Sequence, residues 1–190
     1  MDLIILLVIA VPLLVLLWGV VIYNGLVRLR NLVQESWRQI DVELHRRHDL
    51  IPNLVETVQG YAAHERQVLE SVTAARAAAL TPASGPAEQA ANEDMLSQAL
   101  GRLLAVAEAY PQLRASENFL QLQTELATTE DRIAAGRRFY NANVRELNTR
   151  VEQVPSNIVA GMFGFTRAEY FETDDVARAV PRVDFGGRTV

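Results

Sequence analysis

The apolar pattern of this chain changes character once. Residues 3–23, LIILLVIAVPLLVLLWGVVIY, carry no charge, and as a helix they reach about 31 Å, matching a bilayer hydrocarbon core of ~30 Å. They predict a membrane-spanning helix with Trp18 and Tyr23 toward one interface. From Leu26 the apolar residues recur at threes and fours: Leu26, Leu29, Val33, Trp37, Ile40 and Leu44. That is the stripe of a helix packing in a bundle, and no break signal separates it from the span. One continuous helix is expected across both.

A second stripe runs Leu54, Val58, Tyr61, Val68, Val72, Ala75 and Ala79, with HDLIPNL between the two. Pro52 has no backbone N–H and pushes Ile51 out of the α region, but it is tolerated in a first helical turn. The pattern predicts a tight turn near residues 48–51 with Asp49 as a cap, a single kinked helix being the competing reading. TPASGPAEQ, residues 81–89, reads as a loop. A third helix carries Leu96, Leu100, Leu103, Ala107 and Tyr110 on one face and stops at Pro111. Ser116 then heads a helix of about 36 residues, roughly 54 Å, that ends at Pro155. A short helical turn, an irregular aromatic segment and an extended tail follow.

No run of strand period is long enough for a sheet. The predicted fold is all-α: an N-terminal transmembrane helix continuous with an up-and-down four-helix bundle of long antiparallel helices. The anchor takes residues 1–24, the bundle 25–154, and the aromatic segment and tail 155–190.

A cleavable signal peptide is the alternative for the first segment, but the segment is long and lacks both a basic start and a small-residue cleavage site. Arg28, Arg30 and Arg38 follow the span while Asp2 precedes it, so the positive-inside rule puts the bundle in the cytoplasm and the N-terminus outside. The formal net charge of -5 leaves no basic footprint, which excludes nucleic acid as the expected partner. With no cysteine, disulfides, thiolate metal sites and a cysteine nucleophile are excluded.

Charged residues interrupt the stripes: Arg47 after Leu44, Glu65 between Tyr61 and Val68, and Glu130 and Arg137 in register with Leu126, Ile133 and Tyr140. Buried alone they would be strongly destabilising, so Glu–Arg pairing that fixes helix register is the first reading. A ligand pocket or switch inside the bundle, or exposure at the stripe edge, are the others.

The three histidines, His45, His48 and His64, lie within ELHRRHDLIPNLVETVQGYAAHE. Di-iron bundles need Glu-x-x-His, and none is present; HERQV lacks the second histidine of a zinc protease motif. A turn at Pro52 would leave His45 and His48 ending one helix and His64 about three turns into the next. No nucleophile motif or phosphate loop occurs, so no metal, no cofactor and no enzymatic activity are expected.

Several long motifs occur in a fixed order: YNGLVRLRN, SWRQIDVELHRRHDLIPNLVETVQGYAAHE, AVAEAYPQLRASENFLQLQTELATTEDRIAAGRRFYNANVRELNTRV and PSNIVAGMFGFTRAEYFE. In these the chain resembles the LemA family from about residue 23 to the tail. The resemblance implies a bacterial single-pass membrane protein with a cytoplasmic helical bundle and no established enzymatic activity. Its signature falls here on Arg47, Asp49, Asn53, His64, Glu65, Arg76, Glu130 and Arg137, taken as structural or docking residues, and also on Trp37, Pro52, Tyr110, Tyr140 and Asn141. His45 stands where the family commonly has lysine, and His48 where its pattern is permissive.

The expected function is a membrane-anchored scaffold or adaptor of the cell envelope. Its partners are the lipid bilayer, other envelope proteins and further copies of itself, at the cytoplasmic membrane. Phe163, Phe165, Tyr170 and Phe171 are the aromatics expected to bind partners. A self-assembling membrane-shaping oligomer and an accessory regulator of a membrane protease are the alternatives.

Overall fold

A computed structural model describes residues 2–172; the expected extended tail lies outside the described residues. The chain forms α1 (Asp2–Tyr61), α2 (Arg66–Leu80), α3 (Pro86–Glu108), the short α4 (Pro111–Arg114), α5 (Glu117–Glu152) and α6 (Ser156–Met162). No strand occurs among the described residues, and the fold is all-α.

At 60 residues, α1 is about 90 Å long and does two jobs. Leu6 to Val21 leave their side chains mostly exposed, and this part is long and apolar enough to cross a membrane. From Leu26 onward one residue per turn is buried. There α1 pairs antiparallel with α5, as Ser36 bonds Asn143, Glu43 pairs with Arg132 and Arg47 with Glu130. The two helices approach closely at Gly136, where an added Cβ would lie 2.9 Å from Ile40 Cγ1.

The second pair, α2 and α3, returns down and up along the far part of α1 and α5. Just ahead of α3, Ser84 donates its N–H and hydroxyl to Glu88 Oε2, at 2.7 and 2.6 Å, and Pro86 opens the helix after the Gly85 cap position. These two helices are shorter than α5, so they cannot cover it all. Near the apolar segment their place is taken by α6 and the chain after it. Gly164 ends α6 with φ +68°, and the Phe165 N–H reaches Ala160 O at 2.9 Å, a Schellman motif that turns the chain back onto the bundle.

The expected turn at 48–51 does not form. The helix α1 passes through Pro52 and ends at Tyr61, and the hairpin turn falls at residues 62–65. Asp49 is therefore an exposed mid-helix residue rather than a cap, His45 and His48 lie inside α1, and His64 lies in the turn. Proline inside a helix costs about 3 kcal/mol, largely because the carbonyl four residues back loses its donor. Here that carbonyl belongs to His48, and Arg76 Nε on α2 donates to it at 2.8 Å. Arg76→Met is expected to cost about 1–3 kcal/mol by orphaning this acceptor. Pro52→Ala, which restores a helical donor, is expected to remove most of that cost. Equal losses from Arg76→Met in both backgrounds, measured by denaturant unfolding, would refute this account of the unbroken helix.

Candidate functional site

Two apolar clusters fill the bundle. The nearer one holds Leu26, Val33, Ile40 and Leu44 with Ile133, Val144 and Leu147; the farther holds Ile51, Leu54 and Val58 with Val72, Leu96, Leu103 and Phe119. A polar layer separates them. Along α1 the order is Leu44, then Arg47 and His48, then Ile51; along α3 it is Ala90, Glu93, Leu96; along α5 it is Leu126, Glu130, Ile133. The three- and four-residue steps of each helix place these groups at one height.

Arg47 is 1% exposed and Glu93 is fully buried. The guanidinium reaches from α1 to both other helices: Nη2 donates to the Glu93 carboxylate, and Nη1 donates to Glu130 Oε1 at 2.6 Å and Ser97 Oγ at 2.9 Å. His48 Nε2 lies 3.0 Å from Glu93 Oε1, and Gln89 Nε2 donates to the same oxygen at 2.7 Å. Burial pushes the Glu93 carboxyl up, but the hydrogen bond with His48 and the charge of Arg47 outweigh it and hold the group below its ordinary value. Arg76, bonded to the His48 carbonyl, brings in α2. Four helices thus converge on one charged layer, where sliding a helix by one turn would set a charge against aliphatic carbon.

The other residues singled out by the sequence are dispersed. Arg137 donates both Nη groups to Asp94 Oδ1, at 3.0 and 2.9 Å, and lies 4.7 Å over the Phe171 ring. Glu65 accepts from Tyr110 OH at 3.4 Å, joining the α1–α2 turn to the end of α3. Asn53 is exposed, as are Asp49 and His64. His45 faces Asp41 at the surface, its ring 6.2 Å from that of His48. Among the described residues no group of three or more His, Asp or Glu side chains is arranged to hold a metal ion.

The aromatic segment forms a second polar construction. It runs extended along α1 and α5, and two asparagines of α5 grip its backbone. Asn148 accepts from the Ala168 N–H at 2.8 Å and donates to the Ala168 carbonyl at 2.9 Å. Asn141 accepts from the Phe171 N–H at 2.9 Å and donates to Glu172 Oε1 at 2.8 Å. The spacings match, since seven helical residues and three extended ones each span about 10 Å. Phe165 and Phe171 are buried, Tyr170 is half-buried and Phe163 is exposed. Two of the four aromatics expected to meet a partner are thus buried in the chain's own core.

A model of the LemA family matches residues 36–185. This chain belongs to the LemA family. It is 29% identical to the magnetosome protein MamQ 2 of Paramagnetospirillum magneticum, over 79% of this chain and 64% of that one. It is 27% identical to MamQ of Magnetospirillum gryphiswaldense, over 78% and 64%, and 27% identical to protein LemA of Metamycoplasma hominis, over 82% and 71%. The chain thus matches just under two thirds of the length of its MamQ relatives.

The LemA match takes in the charged layer and both asparagine clamps but begins after the apolar part of α1. Between the clamps, Tyr140 donates its hydroxyl to Glu169 O at 2.8 Å. Burial, with the nearby charge of Glu169, pushes this phenol up to about 12 from 10.0. An acid raised on folding stabilises the fold fully below its unfolded value and loses that contribution as pH climbs to its folded one. The segment is therefore expected to hold up to pH 10 and to loosen between 10 and about 12. The phenolate absorbance missing from Tyr140→Phe should rise toward a midpoint of about 12. A Tyr140 transition centred at 10 would mean that the ring is not enclosed.

Proposed function

We propose that this LemA-family protein is a membrane-anchored, non-enzymatic scaffold whose bundle stands on the cytoplasmic face and acts through protein contacts. The observation that carries the reading is the continuity of α1. One helix supplies both the exposed apolar segment Leu6–Val21 and the central stripe of the bundle from Leu26. No linker separates them, so the height and tilt of the bundle follow those of the anchor. The charged groups inside the bundle are engaged with one another: Arg47 with Glu93, Arg137 with Asp94. The relatives named for magnetosomes carry a subcellular structure in their names rather than a reaction, and Arg28, Arg30 and Arg38 support the orientation.

The test is proximity labelling from a C-terminal fusion, against the same anchor carrying an unrelated helical bundle. The scaffold reading expects membrane-protein neighbours specific to this bundle, and a fused fluorescent protein that matures in the cytoplasm. Identical neighbour sets from the two bundles would count decisively against it.

Lateral self-association is a second reading, favoured by Val42 and Phe139, exposed beside each other along the α1–α5 groove. Its test is the mass of the solubilised protein, and a clean monomer at micromolar concentration would remove it.

A further inference from the structure

We infer that the face of α6 turned away from the bundle is a second membrane contact, lying in the bilayer interface beside the foot of α1. Ser156, Val159 and Ala160 turn inward and are buried. The opposite side of α6 exposes Ile158 and Met162, four residues apart, with Phe163 at its C-cap and Val154 just ahead of the helix, at 61, 74, 59 and 71%. Around them the chain carries no ionisable side chain between Glu152 and Arg167. Those two flanking residues pair with each other at 3.1 Å, which closes the uncharged surface with a neutralised rim. Four large apolar side chains exposed together are costly in water and favoured where one side is lipid.

The height of this face decides the occupant. The Phe163 ring lies 4.7 Å from Tyr23, and Phe165 lies 5.7 Å from the same ring. Tyr23 ends the unbroken apolar run of α1, ahead of Asn24, where aromatic side chains settle at the headgroup level. The α6 face therefore stands level with the end of the apolar segment, on the side where α1 leaves the bundle. Arg28 and Arg30 follow within two turns, and the Arg30 guanidinium lies 5.2 Å over the Phe165 ring, so cationic groups sit just above the apolar surface, as an interfacial helix needs. Val42 and Phe139 are comparably exposed but lie several turns farther along α1 and α5, and nothing ties them to the bilayer.

The inference rests on α1 being the membrane-spanning helix, and its test separates the two. The chain has no cysteine, so Ile158→Cys, Met162→Cys, Phe139→Cys and Trp18→Cys each give the full chain one labelling site. Each is coupled to an environment-sensitive fluorophore in bilayer nanodiscs, with or without a lipid carrying a nitroxide high on its acyl chain. Quenching is expected at positions 158, 162 and 18, with none at 139. Emission from 158 and 162 that matches 139 while 18 is quenched would overturn the α6 contact and leave the span standing. Blue-shifted but unquenched emission at 158 and 162 would give the face to a protein or a second copy, and would overturn it equally. An unquenched position 18 would remove the span and the inference together.

Discussion

Replacing Arg47 with alanine is expected to destabilise the bundle by about 3–5 kcal/mol, the cost of taking one partner from a buried ion pair. Glu93 would remain fully buried, with only His48 and Gln89 beside it. The magnitude comes less from the lost attraction than from the stranded carboxylate. Glu130→Gln removes another partner of Arg47, but Glu130 is 39% exposed, and water replaces what is lost, so that change is expected to cost about 1 kcal/mol or less. Replacing Arg47, His48 and Glu93 together by apolar residues of similar volume is expected to recover most of the loss, because no charge is then left in the core.

The two proteins should also differ in pH dependence. In the wild type the Glu93 carboxyl lies below its ordinary 4.5, so its contribution is complete above that value and is lost as pH falls through the folded one. Without Arg47, burial wins and the sign reverses: the variant should regain ground on acidification as Glu93 takes up a proton. Denaturant unfolding followed by helical circular dichroism, from neutral pH down well below 4.5, measures both. A loss from Arg47→Ala no larger than that from Glu130→Gln would mean that the layer is not a buried ion pair.

The sequence made the apolar segment and the stripe beyond it legible because both are local repeats. It also showed Arg47 and Glu130 as charges where leucine was due. It did not show their main partner. Glu93 stands in AANEDML beside Asn92 and Asp94, a polar stretch that reads as solvated helix surface, and the apolar stripe of that helix begins only at Leu96. Pro52 misled for a related reason. Its cost is local and visible, whereas its compensation comes from Arg76, 28 residues away in sequence. The aromatic segment was legible in composition but not in conformation. Its backbone partners are two side-chain amides on α5, and no periodicity within the segment can report a partner that is not a strand. Nothing in the residue pattern marks Asn148, and Asn141 stands out only through the family resemblance.

Phe171→Ala is the second large effect expected, and it should be local. Phe171 is 1% exposed, edge-on to Trp37 at 5.3 Å and under the Arg137 guanidinium; truncating such a core phenylalanine removes about 3–5 kcal/mol of packing. The segment carrying it is one extended stretch of chain held on the bundle by α6, the two clamps, the Tyr140–Glu169 hydrogen bond and its ring contacts, so it can peel away before the helices separate, and its release limits what the substitution can cost the rest. Hydrogen exchange should therefore divide the molecule. The Ala168 and Phe171 amides, held by Asn148 and Asn141 in the wild type, should lose protection, while those of α5 around Leu126 keep theirs. Trp37 would lose one of its two ring partners, keeping Tyr140, and its emission should shift toward that of a more solvated indole. Phe163→Ala is the control: that ring is 59% exposed, and its removal should shift stability by about 0.5 kcal/mol or less. If Phe171→Ala left the Ala168 and Phe171 amides as protected as before, the clamps alone would hold the segment, and the aromatic core would not be what closes this end of the bundle.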